Sequence, residues 1–298
     1  MKNLIADIID PKLLNSIEGL ELTAKIIVEG YFSGYNQSKR VGVGHEFSQY
    51  RSYQPGDDLR LMDWKMYARS ERFYIRQSEI ETNINIKFII DASNSMAHQD
   101  GALSKMDYAR MITAAIGYLA KNQGDAYGVL WANNKEVNML QAQQDQLHFQ
   151  RFLYHLLRIQ PGDVWLQHYD KLDRFYDPRN RELIIFISDM YDDDQDLIDF
   201  ARHLKNNRNE VIVFQLIAGN ELNPKLQPDG LYEDLETGAQ VRFEPGKSAR
   251  QVGSSVLESA ESIRTALLKS NVGYELFRTD EPLDAALTSF IKKRNKLI

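Results

Sequence analysis

The sequence contains no cysteine among its 298 residues. This absence excludes disulfides, thiolate zinc sites, iron–sulfur clusters and a cysteine nucleophile, and it suits a reducing compartment. Positive charge is also in short supply, because 36 Lys and Arg face 42 Asp and Glu, for a net charge of −6. We therefore expect no nucleic-acid partner bound through general positive charge. The hydrophobic share of 43% is that of an ordinary globular protein.

Long apolar runs are missing as well. The longest buried-looking stretch, residues 183–187, is far shorter than the roughly 18 residues that span a bilayer. Near the start of the chain, Asp7 and Asp10 interrupt the apolar residues, which is unlike the uncharged core of a secretory signal. We expect a cytoplasmic protein without a direct membrane span. Any attachment to the inner membrane would be peripheral and would depend on partner proteins.

From residue 86 onward, short apolar runs alternate with amphipathic segments. Ser104 and Asp107 have the spacing of a capping box at a helix start, and Gly124 is a typical stop signal. Continuous apolar strands separated by helices indicate a mostly parallel sheet covered on both faces. The predicted strands are residues 86–90, 127–131, 137–140, 183–187, 211–217 and 274–277.

The first 85 residues differ in character, with one predicted helix at 11–29 followed by short β-like stretches. We therefore predict two domains. Residues 1–85 form a small N-terminal α+β module, and residues 86–298 form a three-layer α/β domain. Clustered turn signals between residues 220 and 245 predict an insertion there that contains a hairpin.

A segment with several candidate metal-ligating side chains follows the first predicted parallel strand. Asp91, Ser93 and Ser95 place a carboxylate and two hydroxyls where the loops of a parallel sheet form a ligand crevice. Asp189 follows the strand at 183–187 and is expected at the same edge. Hard cations such as Mg²⁺ prefer these oxygen ligands. The plain alternative is that the aspartate and serines only cap a helix and form turns.

The DxSxS pattern with a later Ser-Asp strand end resembles the metal-ion-dependent adhesion site of von Willebrand factor A domains. A longer sequence motif precedes this pattern, and a further motif lies near the C-terminal end of the sequence. Together they resemble the bacterial "domain of unknown function fifty-eight" family, often encoded beside MoxR-type AAA ATPases. The segments that carry this resemblance are GVGHEF at 42–47, RSYQPGDDLR at 51–60, DW at 63–64, AR at 68–69 and TDEPL at 279–283.

The resemblance implies a Rossmann-like, von Willebrand factor A-like domain that acts without catalysis. Asp91, Ser93 and Ser95 would hold Mg²⁺ or another divalent cation, with Asp189 assisting, and an acidic partner residue would fill an open coordination position. The implied partners are a MoxR-type ATPase and an unknown client protein, in the assembly or maturation of an envelope or enzyme complex. The adhesion site also takes a loop threonine, yet no serine or threonine lies between Thr113 and Ser188. Either Asp163 stands in for the threonine, or the site is degenerate.

A charged motif of alternating sign precedes the sheet. In the structural interpretation, Arg–carboxylate bonds staple a turn and short helix to the domain, and Trp64 and Tyr67 anchor it by burial. In the functional interpretation, the same charges dock a partner. The motif residues are Arg51, Asp57, Asp58, Arg60, Asp63, Trp64 and Arg69.

An enzyme is the competing class. The same acidic crevice would suit a magnesium-dependent phosphoryl or ester hydrolase, with Asp163 or Asp189 as the base. The sequence contains no Walker A, G-x-S-x-G or H-E-x-x-H motif. We therefore assign no catalytic residue and favour an interaction module.

Overall fold

The chain falls into two compact units in a computed structural model. One unit is drawn from Met1–Ser33 and Ile84–Ile298, and the other from Gly34–Asn83. The described residues are 13–36, 49–53, 62, 64–77, 84–166, 172, 175, 182–190, 195–224, 231–233, 240–242 and 249–295.

Strands and helices alternate along most of the chain. The strands are β1 (Gln49–Ser52), β2 (Tyr74–Gln77), β3 (Asn85–Asp91), β4 (Gln99–Asp100), β5 (Leu103–Ser104), β6 (Ala126–Ala132), β7 (Val137–Gln143), β8 (Glu182–Ser188), β9 (Glu210–Ile217), β10 (Leu231–Glu233), β11 (Gln240–Arg242) and β12 (Gly273–Arg278). The helices are α1 (Ile17–Asn36), α2 (Trp64–Ser70), α3 (Lys105–Gln123), α4 (His148–Arg158), α5 (Gln195–Leu204), α6 (Gly219–Leu222), α7 (Ala249–Lys269) and α8 (Leu283–Asn295).

The larger unit is built on a six-stranded sheet with the order β12-β9-β8-β3-β6-β7. Its pairings are parallel except that of β6 with β7, which is antiparallel. The chain runs outward from β3 to β6 and β7, and then returns to the other side of β3 as β8. The carboxyl ends of β3 and β8 therefore flank the point where the strand order reverses, which is where ligands bind in such sheets.

Both faces of the sheet are covered, as successive side chains of a strand point to opposite faces. In β3, Phe88 and Ile90 lie in one core cluster with residues of α3, α4 and α8, whereas Ile89 lies in a second cluster with residues of α5 and α7. In β8, Ile185 belongs to the first cluster and Ile184 to the second. The prediction of a three-layer α/β domain with a mostly parallel sheet is confirmed.

The start of α3 shows the predicted capping box. The Ser104 side chain accepts from the backbone N–H of Asp107, and the Asp107 carboxylate accepts from the backbone N–H of Ser104. The helix ends at Gly124, whose φ of 76° lies in the left-handed region that glycine adopts without strain. These caps define the two ends of α3.

The boundary between the units differs from the predicted module of residues 1–85. The apolar face of α1, including Leu20, Ala24 and Ile27, is buried in the core cluster that covers the sheet. The sequence places α1 in the N-terminal module, whereas its apolar face packs on the larger domain. In the stretch predicted as an insertion, β10 and β11 pair antiparallel.

The smaller unit contains the antiparallel pair β1 and β2, and the short helix α2. The expected burial of its aromatic anchors is wrong, because Trp64 is 61% exposed and Tyr67 is 36% exposed. The Tyr67 ring stacks on Phe73 with 4.4 Å between centroids, and Trp64 lies edge-on to Tyr67 at 6.3 Å. These rings therefore bury part of their surface against one another. Across the part of the chain that the structure describes, no helix has the length and apolarity to span a bilayer.

Candidate metal centre

The ends of β3 and β8 bring four of the predicted site residues together. Ile90 pairs with Ile187 in register, so Asp91 and Ser188 end neighbouring strands. A 3-10 helix, Asn94–Ala97, begins directly after Ser93 and carries Ser95 back over the strand ends. Asp91, Ser93 and Ser95 are between 1% and 3% exposed, and Asp189 is 4% exposed.

A chain of hydrogen bonds joins these side chains. The Ser93 backbone N–H donates to Asp91 Oδ1 at 2.8 Å, and the Ser188 hydroxyl donates to Asp91 Oδ2 at 2.7 Å. The Ser93 and Ser95 hydroxyl oxygens lie 3.0 Å apart, and Ser95 donates onward to Asp189 Oδ1 at 3.0 Å. Two carboxylates are thereby linked through two hydroxyls. We name Asp91, Ser93, Ser95 and Asp189 the switch-point cluster.

Burial raises the pKa of Asp91 to about 7, and the negative charge of Asp189 contributes in the same direction. The hydrogen bonds from Ser93 and Ser188 act against this rise. A carboxyl group with so high a pKa is costly to keep ionised. A cation close to Asp91 would remove that cost by favouring its charged form.

Sequence reasoning missed two charged residues beside the switch-point cluster, Lys105 and Glu221. Lys105, the first residue of α3, is 2% exposed and its Nζ lies 2.8 Å from Asp189 Oδ2. The same ammonium lies 2.7 Å from Glu221 Oε1 in α6. The sequence gives no signal for this arrangement, because a lysine at the start of an amphipathic helix is ordinarily solvent-exposed. Its partners are 84 and 116 positions away along the chain.

Asp163 lies beside the cluster through its backbone but directs its carboxylate elsewhere. Its carbonyl oxygen accepts from the Asn94 N–H at 2.7 Å, which ties the loop to the 3-10 helix. Its Oδ1 accepts from the N–H of Val164 at 2.9 Å, and its Oδ2 lies 3.4 Å from Lys135 Nζ. As a stand-in for the missing threonine, Asp163 would have to leave these partners. Its role as a ligand stays a prediction.

Two loops at this edge hold strained backbone. Asp163 has a φ of 63° and Met190 has a φ of 50°, both in the left-handed region that side chains disfavour. Met190 is held there partly by its N–H, which donates to the Ser188 hydroxyl at 2.9 Å. Such backbone persists where surrounding contacts determine it, and it is common at functional sites.

The charged motif is described only in part. Arg51 lies in β1, and Trp64 and Arg69 lie at the two ends of α2. Asp57, Asp58, Arg60 and Asp63 lie outside the described residues. The choice between a structural staple and a docking surface therefore stays open.

The switch-point cluster fits a hard divalent cation by the chemistry of its donors, which are carboxylate and hydroxyl oxygens. Neighbouring ligands of octahedral Mg²⁺ lie about 3.0 Å apart, since each bond is about 2.1 Å long. The 3.0 Å between the Ser93 and Ser95 oxygens matches that spacing. The described residues contain no group of three or more His, Asp or Glu that would hold a metal alone. Any cation here therefore depends on the serines.

The sheet order and the polar cluster at its reversal point define a doubly wound α/β domain with an oxygen-rich site between two strand ends. Residues 49–258 match the family described as "Protein of unknown function DUF58", and the chain belongs to that family. The predicted resemblance to the "domain of unknown function fifty-eight" group is confirmed.

Two bacterial relatives cover different shares of the chain. The uncharacterized protein Rv1480 of Mycobacterium tuberculosis is 27% identical over 304 aligned residues, which cover 97% of this chain and 92% of that protein. The uncharacterized protein YeaD of Bacillus subtilis is 29% identical over 106 residues, which cover 36% of this chain and 24% of YeaD. Their names assign no activity.

Solved structures overlap with a large part of the chain. BatB from Bacteroides thetaiotaomicron is 16% identical with a TM-score of 0.47, and the match covers 72% of this chain and 99% of BatB. The SpRpn10 VWA domain is 12% identical with a TM-score of 0.40, and the match covers 69% of this chain and 94% of that domain. At these TM-scores neither overlap bears on function.

Proposed function

We propose that this chain is a non-enzymatic protein-interaction module that binds an acidic residue of a partner through a divalent cation at the switch-point cluster. Asp91, Ser93 and Ser95 would hold the cation directly, and Asp189 would hold it through water. The single observation that carries the proposal is the 3.0 Å separation of the Ser93 and Ser95 oxygens between two buried carboxylates.

The chain's own groups would leave coordination positions of the cation unfilled. Asp91, Ser93 and Ser95 supply three side chains, fewer than the six oxygens that Mg²⁺ requires. When bound, the cation would supply a Lewis-acidic position for a carboxylate from another protein. The buried surroundings, with Asp91 1% exposed, strengthen that attraction because water screens it less.

We further propose that the partner is a MoxR-type AAA ATPase and that this chain serves as its adaptor toward a client. The family resemblance supports this step, together with the absence of a Walker A motif in the chain's own sequence. Nucleotide hydrolysis would then belong to the partner.

Affinity capture from the native organism tests both parts. The wild-type chain is expected to recover an AAA-type ATPase in Mg²⁺, and to recover far less in EDTA. Ser95→Ala should behave in Mg²⁺ as the wild type does in EDTA, whereas the exposed Ser254→Ala on α7 should not. Failure to recover an AAA-type ATPase, with or without nucleotide, contradicts the proposed adaptor role. Equal recovery in Mg²⁺ and EDTA contradicts the proposal that a divalent cation mediates partner binding.

A further inference from the structure

Lys105 is a buried charge at the edge of the switch-point cluster. Its Nζ lies 2.8 Å from Asp189 Oδ2 and 2.7 Å from Glu221 Oε1, between two carboxylates. A buried lysine is rare unless it is paired, and this one is paired twice. The switch-point cluster therefore already has a fixed monovalent cation beside it.

The two carboxylate oxygens of Asp189 have different partners, one within the switch-point cluster and one outside it. Its Oδ1 accepts the hydrogen bond from Ser95 at 3.0 Å, and its Oδ2 binds Lys105 Nζ at 2.8 Å. A divalent cation beside Ser95 would meet a carboxylate whose charge Lys105 largely neutralises. It would also meet the repulsion of the ammonium itself, which is strong in surroundings of low dielectric.

Glu221 holds Lys105 from the far side. Its Oε2 accepts from the backbone N–H of Ala218 at 2.7 Å, which fixes the carboxylate at the end of β9. The α6 turn that carries it is tied down in turn, because the Gly219 N–H donates to Asp100 Oδ2 at 2.8 Å. Thr279 Oγ1 donates to the same oxygen at 3.1 Å. Glu221 therefore draws part of the ammonium's interaction away from Asp189.

We propose that Lys105 weakens cation binding at the switch-point cluster by competing for Asp189, and that Glu221 limits this competition. The inference rests on the proposed function, since it concerns the same cation. A weakly held cation keeps its need for another anionic ligand, and the carboxylate of a partner would supply it. Lys105 is thus a residue that tunes the site without ligating the cation.

Two substitutions should shift the affinity in opposite directions. Calorimetric titration of Mn²⁺ and Mg²⁺ into Lys105→Gln, which keeps a donor beside Asp189 without the charge, should show binding about tenfold tighter than wild type. Glu221→Gln removes the second anion, commits Lys105 to Asp189 and should weaken binding by a similar factor. A merely structural ion pair would weaken binding in both variants.

Controls separate this inference from the proposed function. Asp91→Asn should abolish binding in the wild-type and Lys105→Gln backgrounds alike. Binding to wild type with no gain in Lys105→Gln overturns the role of Lys105 and leaves the cation site intact. Binding to Lys105→Gln but not to wild type supports the role of Lys105 and contradicts the proposed function. No binding to any variant overturns both.

Removing a buried positive charge also threatens folding. Lys105→Met, with an unbranched side chain of similar length, is the second variant, and thermal unfolding with and without Mn²⁺ is the second measurement. The Mn²⁺-dependent rise in Tm should be larger in either Lys105 variant than in wild type. If neither variant folds, Glu221→Gln carries the test, and equal or tighter cation binding there contradicts the inference.

Discussion

The Ser188 hydroxyl donates to Asp91 Oδ2 at 2.7 Å and joins the ends of two neighbouring parallel strands. Ser188 is fully buried and Asp91 is 1% exposed, so no water replaces this contact. The bond aligns Asp91 at the reversal point of the sheet and leaves its other oxygen to the Ser93 N–H at 2.8 Å. The cluster is therefore positioned by the sheet as well as by its own loop.

Ser188→Ala should lower the free energy of unfolding by about 1–3 kcal/mol, because the buried Asp91 carboxylate loses a donor that nothing replaces. Denaturant unfolding followed by tryptophan fluorescence measures the change. Ser254→Ala is the matched control, since this hydroxyl bonds only within the exposed turn of α7, and its effect should stay within about 0.5 kcal/mol. Equal effects of the two substitutions would show that the Ser188 bond stabilises nothing.

Lys87 and Glu182 form a second buried ion pair, with Nζ and Oε1 2.7 Å apart and side chains 8% and 1% exposed. Lys87→Met should cost about 3–5 kcal/mol of unfolding free energy, because the buried Glu182 carboxylate loses the ammonium that lies 2.7 Å away. Adding Glu182→Met should recover much of that loss. The exposed pair Lys25 and Glu29 supplies the control, where Lys25→Met should change little. A double variant no more stable than Lys87→Met alone would contradict the account.

Gly253 in α7 is required by close packing against α6. A Cβ at this position would lie 2.0 Å from the Leu222 carbonyl oxygen, a backbone atom that cannot rotate away. Gly253→Ala should destabilise the protein by about 1–3 kcal/mol in a thermal or denaturant melt. Gly162→Ala, whose Cβ would meet nothing within 4 Å, is the control. Wild-type stability of Gly253→Ala would mean that α6 and α7 approach less closely than described.

His148 should make the protein sensitive to mild acid. Burial lowers the pKa of His148 below its ordinary 6.5, and Arg151 acts in the same direction, whereas the Tyr127 carbonyl and Asp145 oppose it. The unfolded chain therefore takes up the proton first as pH falls. Stability contributed by the neutral ring is complete above about pH 6.5 and is lost progressively below it.

Denaturant unfolding at about pH 7.5 and about pH 5.5 measures this loss. His148→Gln should lose less stability between the two conditions than wild type, even if it is less stable in both. His203→Gln, at an exposed position of α5, should lose as much as wild type. A wild-type loss unchanged by His148→Gln would assign the acid sensitivity to other groups.

Local signals predicted much of the fold. The capping box at Ser104 and the stop at Gly124 bounded α3 correctly, because both depend on residues close in sequence. The apolar strands and their polar ends also placed Asp91 and Asp189 at one sheet edge. Contacts between distant segments were beyond such signals, since nothing local pairs Lys105 with Asp189 across 84 positions.

The directions in which individual side chains point were the second feature that the sequence could not predict. The loop position of Asp163 followed from the sequence, but its carboxylate points toward Lys135, with 3.4 Å from Oδ2 to Nζ. The structural interpretation of the charged motif predicts that Trp64 anchors it by burial, yet Trp64 is 61% exposed at the start of α2. Hydrophobicity favours burial on average and does not fix it for a single aromatic residue.

Calorimetric titration of Mg²⁺ and Mn²⁺ into the wild-type chain, alongside Asp91→Asn and the exposed Asp196→Asn, tests the central claim most directly. The account predicts one binding event in wild type, its loss in Asp91→Asn and its retention in Asp196→Asn. No binding heat in wild type, or binding that survives Asp91→Asn, would contradict a cation site at the switch-point cluster.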